Sequence, residues 1–294
     1  MRKNVDNKSA YLMLIPTIVL LITFVYIPLS MALFRSFFES TPEGTQFLGF
    51  QTFIQTITNE YFMKSIWTVL KLSITITLTQ LVISFLFANA LVKVNKKLSV
   101  ISRTLIYLPN LISGIVVAVI FTLLTTFNGG IINSLLESIG GSPIAFNNDY
   151  FWSPLSIIIP TIWIGFGYFS LVMYAGIINI PKTYFEAAEV DGASFLQKMF
   201  YITIPMMKNY FILLVVTMIV VNLQMFEIPM IMTNGQPANT TLTPVLYLIH
   251  SRSNGNISDT EITTAAILIM IIIIIINSSI FYLFKNKKGR KWEM

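Results

Sequence analysis

Apolar residues gather into six runs, at about 10–34, 66–92, 105–127, 155–178, 206–230 and 263–284, the last holding six consecutive isoleucines. Runs of this length constrain the fold more than any other feature. A helix needs roughly 20 apolar residues to cross about 30 Å of hydrocarbon, and each run supplies them. Composition agrees: 55% of residues are hydrophobic and 11% charged, against roughly 25% charged in soluble domains. The chain therefore reads as an all-α integral membrane protein, one domain over residues 1–294 with six transmembrane helices. Pro16 and Pro28 fall inside the first run, where membrane helices tolerate them. That run is too long for the apolar core of a signal peptide and no clear A-x-A site follows it, so it is expected to stay as an uncleaved helix.

Charge sets the expected orientation. Fifteen of the nineteen basic residues fall before the first run (Arg2, Lys3, Lys8), between the second and third (Lys93, Lys96, Lys97, Arg103), around the connection from the fourth to the fifth (Lys182, Lys198, Lys208), or after the sixth (Lys285, Lys287, Lys288, Arg290, Lys291). Arg35, Lys64, Lys71 and Arg252 remain for the other side. The positive-inside rule puts both termini and the 181–205 loop in the cytoplasm. The net charge of +6 is thereby accounted for without a nucleic-acid partner. The opposite connections carry acids (Glu39, Glu43, Glu60, Glu137, Asp149, Asp259, Glu261) and turn residues, and are too short for a separate binding domain. With no cysteine and a lone His250, disulfides, thiol chemistry and His-based metal or catalytic clusters are excluded. No G-x-x-x-x-G-K-[ST] sequence occurs, so the chain lacks a nucleotide-binding P-loop.

The 181–205 loop, PKTYFEAAEVDGASFLQKMFYITIP, reads as two short helices joined at Asp191-Gly192. Thr183 with Glu186 and Ser194 with Gln197 both fit capping boxes, and glycine supplies the positive φ of a turn. Ala187 and Ala188 leave room for close approach by another surface. Phe185, Val190, Phe195, Met199 and Phe200 are apolar in a segment expected to face water. On these residues alone the loop is either an interfacial segment resting on the bilayer or a docking element, and Glu186 is either a cap partner or a contact.

Glu186-Ala187-Ala188, three residues, Gly192, nine residues, then Ile202-Thr203-Ile204-Pro205 resembles the EAA loop of ABC-importer permeases, EAA-x3-G-x9-I-x-L-P, with Ile204 for leucine. Asp191-Gly192-Ala193-Ser194 extends the likeness as D-G-A-S does in the carbohydrate group. Phe47-Leu48-Gly49-Phe50 is similar to the F-V-G-L element after the first helix of sugar permeases, and Leu108-Pro109 to the L-P that opens the third. Thr233-Asn234-Gly235-Gln236-Pro237 is similar to T-G-G-G-P, with Asn234 and Gln236 departing. The chain thus resembles the first-type permease of carbohydrate ABC importers, the maltose and glycerol-phosphate class.

That resemblance implies a type I importer permease fold in a bacterial plasma membrane. It implies a coupling loop (Glu186, Ala187, Ala188, Asp191, Gly192, Ala193, Pro205) seated in a groove of a cytoplasmic ATPase. It implies a second permease subunit, expected to form a heterodimer, two ATP-binding subunits and an extracytoplasmic solute-binding protein. The chain itself would be no enzyme and would bind no cofactor or metal, since ATP and magnesium belong to the ATPase. The solute would be a sugar or a related compound.

Polar residues inside membrane runs are costly and tend to face protein or water. Glu227 is the acid within the fifth run; Gln224 and Thr217 are expected on the same helix face, with Asn222 adjacent. Thr68, Lys71, Thr75, Thr79 and Gln80 lie in the second run. These threonines serve either helix–helix hydrogen bonds or a path, and Lys71 either snorkels outward or pairs with Glu227. Gln224, Glu227 and Asn222 are the expected lining of a solute path, with Trp163, Phe166 and Tyr168 as its aromatic face. Gly165 and Gly167 are expected to allow close helix packing. An ion-coupled secondary transporter is the alternative, and it would need more intramembrane acids than Glu227.

Overall fold

The computed structural model describes residues 7–41, 44–255 and 258–286. Arg2, Lys3, Glu43, Lys287, Lys288, Arg290 and Lys291 lie outside the described residues. In chain order the elements are α1 (Asn7–Leu21), a π turn (Ile22–Tyr26), α2 (Ile27–Arg35), β1 (Phe38–Thr41), β2 (Gly44–Phe47), α3 (Gln51–Thr58), α4 (Glu60–Lys93) and α5 (Lys96–Tyr107). A 3-10 turn (Leu108–Leu111) leads to α6 (Gly114–Thr125), α7 (Ile131–Ser138), α8 (Trp152–Ile178), α9 (Lys182–Val190) and α10 (Phe195–Lys198). After a second π turn (Met199–Thr203) come α11 (Ile204–Met206), α12 (Lys208–Leu223), α13 (Glu227–Met232), α14 (Pro244–Asn254) and α15 (Asp259–Asn286).

Among the described residues, five helical segments are long and apolar enough to cross a membrane: Tyr11–Arg35, Glu60–Lys93, Trp152–Ile178, Lys208–Met232 and Asp259–Tyr282. A sixth crossing is available only as a bent pair, Lys96–Leu111 with Gly114–Thr125, which turns by 96°. This corrects the expectation of one straight helix over 105–127. Pro109 supplies no N–H and its ring crowds the preceding turn, and Ile112 and Ser113 then adopt extended backbone. The fifth segment is likewise interrupted, at Gln224–Phe226. Pro229 cannot donate to the Met225 carbonyl, and the Thr243 hydroxyl does so instead at 2.8 Å.

The two π turns share a cause. Each ends two residues before a proline, Pro28 and Pro205. A proline leaves the carbonyl four residues earlier without its donor, and a widened turn re-pairs the neighbouring groups: Ile27 donates to Ile22 and Ile204 to Met199.

The chain divides into two compact units. The smaller comprises 1–62 and 248–271. Its β1–β2 hairpin pairs Phe38 with Phe47. Phe37, Phe50 and Phe53 pack with ring centroids 5.3–5.8 Å apart. The Phe47-Leu48-Gly49-Phe50 element closes this hairpin: the amides of Leu48 and Gly49 both donate to the Phe37 carbonyl, and Gly49 has φ +60.

The larger unit comprises 63–247 and 272–294. Its core joins Phe85 and Ala88 of α4, Phe169, Met173 and Ile177 of α8, and Leu214 and Met218 of α12. Ile180, Met199 and Met207, from the connection between α8 and α12, complete it. Gly167 brings α8 against the chain at Ile106 so closely that a Cβ there would overlap the Ile106 carbonyl. Gly165 faces the Gln80 side chain of α4. Gln80 is buried and donates to the Ile162 carbonyl at 3.2 Å. Both glycines therefore serve close packing.

Candidate functional site

The connection between α8 and α12 is a helix–turn–helix. Its turn is a Schellman motif: Gly192 donates to the Glu189 carbonyl (3.0 Å) and Ala193 to the Ala188 carbonyl (2.8 Å). The motif ends α9 with Asp191 as C-cap and Gly192 at φ +73, the left-handed geometry that glycine adopts without a steric penalty. Ser194 then caps α10 in a complete capping box with Gln197. The first expected box is absent. Thr183 lies inside α9, whose N-cap is Pro181 with no side-chain cap bond. Proline preorganises the helix start, and Thr183 comes too late in the chain to cap it. Glu186 thus loses its structural explanation: it is exposed and caps nothing.

α9 has two distinct faces. Phe185 packs against the core, beside buried Met199. Glu189, on the same side as Phe185, pairs with Lys198 at 2.8 Å, tying α9 to α10. Glu186, Ala187 and Val190 are exposed, Val190 to 89%. The apolar residues of the loop therefore divide: Met199 and Phe185 enter the protein, whereas Val190, Phe195 and Phe200 stay accessible. Ala188 is half-buried, and Pro205 is exposed in the first turn of α11.

Within the larger unit, α4, α6, α8, α12 and α13 enclose a cavity of about 580 Å³. Asn222, Gln224 and Glu227 all line it, with Gln80, Thr161, Thr217, Asn110 and Tyr168. Their roles differ in detail. Asn222 is buried and its Nδ2 donates to Thr77 Oγ1 at 3.1 Å, pinning α12 to α4. Gln224 Nε2 donates to the Val220 carbonyl at 3.1 Å, closing the broken end of α12. Its expected alignment with Glu227 on one helix face fails, because the helix breaks between them.

The Glu227 carboxylate lies against Gly114, where any Cβ would overlap it. Gly114 opens α6, whose N-terminal end carries a partial positive charge and amides without helical partners. This placement lets a carboxylate sit half-buried without a basic partner. It also replaces the option of a Lys71 pair: among the described residues the ion pairs are Lys198–Glu189 and Arg252–Asp259.

The expected aromatic face is only partly realised. Tyr168 lines the cavity. Trp163 instead packs 5.7 Å from Phe121, and Phe166 packs 5.1 Å from Phe87. In the second run Thr68 is buried, whereas Lys71, Thr75 and Thr79 are exposed. Thr77, unremarkable in the sequence, makes the bond between helices. Asn110 was also missed; its signal is its place directly after Leu108-Pro109, at the bend.

The Thr233–Pro237 turn accounts for one departure from the family pattern. Asn234 and Gly235 both have positive φ (51 and 83), and asparagine is among the few other residues that adopt this geometry readily. Gln236 has a local role of its own: its Oε1 accepts from the Ala238 amide at 3.0 Å.

Helices of membrane-crossing length thus line a mostly apolar cavity that holds a few polar groups, and a capped helix–turn–helix joins two of them. The family described as binding-protein-dependent transport system inner membrane component matches residues 80–290, and the chain belongs to it. It is 31% identical over 252 residues to YurN of Bacillus subtilis (strain 168), named as a probable ABC transporter permease, covering 83% of this chain and 86% of that one. It is 29% identical to the sn-glycerol-3-phosphate transport system permease UgpA of Shigella flexneri, covering 82% and 81%. It is similar in structure to a bacterial ABC transporter involved in import of the acidic polysaccharide alginate, with TM-score 0.83, 26% identity and coverage of 95% and 96%. The chain is accordingly a multi-pass membrane permease of a binding-protein-dependent ABC importer.

Proposed function

We propose that this permease works as a single transmembrane domain and passes a sugar or related solute, received from an extracytoplasmic binding protein, through the cavity lined by Gln224 and Glu227. The observation that supports this reading is the cavity itself: a mostly apolar lining with the Tyr168 ring, into which a few amide, hydroxyl and carboxylate groups are set, a mix suited to a sugar's apolar face and hydroxyl edge. Among the described residues lining it, none is lysine or arginine. A neutral or basic saccharide fits this lining better than the acidic or phosphorylated solutes named for some relatives.

The exposed Glu186–Ala187–Val190 face of α9 is the docking surface for an ATPase subunit. Gly192 sets the loop shape, and the chain pairs with a second, related permease. ATP and magnesium are used in two ATP-binding subunits. The clustering of basic residues around the termini and this loop supports a cytoplasmic position for all three.

Reconstitution with the ATPases, the second permease and the binding protein, followed by uptake of a panel of labelled saccharides, tests the reading. Accumulation should require both ATP and the binding protein. Uptake driven by an ion gradient without ATP would overturn it. Within that system, Glu227→Ala and Gln224→Ala are expected to lower uptake by roughly tenfold or more, the scale of a lost hydrogen bond to a charged or buried group, at unchanged membrane abundance. Unchanged uptake in both variants would remove these residues from the path.

A further inference from the structure

A second cavity, of about 460 Å³, lies behind α9, on the side away from Glu186, Ala187 and Val190. Lys93, Lys182 and Lys198 line it together with a single acid, Glu189, and otherwise mostly apolar side chains. Lys198 is committed to Glu189 at 2.8 Å and is only 19% exposed. Lys93 lies 3.3 Å above the Phe195 ring. One acid against three lysines leaves a surplus of positive charge. Val92 and Ile178, both exposed, form the accessible part of its apolar wall, and the core residues Ile177 and Ile180 line it as well.

Position narrows the occupant. Lys93 is the last residue of the membrane-length helix α4, and Ile178 is the last of α8. Both helices are of membrane-crossing length, so the cavity lies at their ends, toward one face of the bilayer. An apolar wall beside a cationic rim at that depth matches a phospholipid with an anionic headgroup. A free anion would satisfy the lysines but leave the apolar wall unused. We infer that this cavity binds an anionic phospholipid of the surrounding bilayer, with Lys93 and Lys182 holding its phosphate and the exposed Val92 and Ile178 side chains meeting its acyl chains. The lipid would then back the helix whose outer face is the proposed ATPase contact. Only this consequence rests on the proposed docking; the binding itself does not.

Native mass spectrometry of the complete complex, exchanged into mixed phosphatidylglycerol and phosphatidylcholine, tests binding directly. The wild type should retain phosphatidylglycerol preferentially. Each lysine near an anionic group is worth roughly fivefold in affinity, so Lys93→Gln with Lys182→Gln should reduce that retention by at least about tenfold. Lys182→Arg, which keeps the charge, should preserve it and controls for misfolding. Equal retention by wild type and double variant would overturn the site. So would displacement of the lipid by millimolar inorganic phosphate, which would mark a small-anion pocket. In vesicles, phosphatidylglycerol should raise solute-stimulated ATP hydrolysis for the wild type but not for the double variant. Selective lipid retention with no such stimulation in any lipid would instead overturn the proposed ATPase contact of α9 and leave the lipid site standing.

Discussion

Gly192→Pro is expected to leave the permease in the membrane while abolishing the link between ATP hydrolysis and solute uptake. The residue sits at φ +73 and donates its amide to the Glu189 carbonyl. Proline can do neither: its φ is fixed near −65° and it has no N–H. The Schellman turn would open, and α9 would lose its fixed direction relative to α10. The turn lies outside the membrane-length segments, so insertion should survive. Two milder variants separate turn geometry from bulk. A Cβ at Gly192 would meet nothing within 4 Å, so Gly192→Ala carries only the conformational cost of about 1–2 kcal/mol. Gly192→Asn should cost less, since asparagine visits left-handed geometry. The expected order of coupled uptake is wild type, then asparagine, then alanine, with proline near zero. It is measured as uptake per ATP hydrolysed in the reconstituted complex. Normal uptake by the proline variant would refute the role of the loop as a mechanical connector.

Gly167→Ala should destabilise the chain strongly, and more than the same methyl added two residues away at Gly165. The Cβ at Gly167 would run into the Ile106 carbonyl and the Tyr107 backbone. Backbone cannot swing aside as a side chain can, so the helices must part, at a cost of about 1–3 kcal/mol or more. At Gly165 the obstacle is the Gln80 amide, which can rotate at the expense of its bond to Ile162. Thermal unfolding in detergent should rank wild type above Gly165→Ala, and Gly165→Ala above Gly167→Ala. The reverse order would show that the contact with Ile106 is not what α8 depends on.

The parts of the molecule legible in its sequence are those governed by local or one-dimensional rules. Membrane segments follow from run length, and the loop turn from Asp191-Gly192 with Ser194 and Gln197. What stayed hidden depends on pairing across the fold. Thr77 is one of several threonines in α4 until Asn222, 145 residues later, donates to it. Glu227 invites a search for a cation, yet it rests against the helix start at Gly114. Thr183 fits a capping pattern that the preceding Pro181 pre-empts by starting the helix earlier. Trp163 and Tyr168 differ by five positions on α8, enough rotation to turn Tyr168 toward the cavity and Trp163 against Phe121.

Both interruptions flanking the larger cavity, the 96° bend before α6 and the gap between α12 and α13, end helices within the membrane body. The first amides of α6 and the last carbonyls of α12 are main-chain groups, present whatever side chains the positions carry. These groups are engaged by the chain itself: Gln224 donates from its side chain to the Val220 carbonyl and from its amide to the Val221 carbonyl, and Glu227 rests against the start of α6, so each break is held by a residue that also lines the cavity. A substitution at Gln224 or Glu227 would therefore disturb a helix break and the cavity lining together.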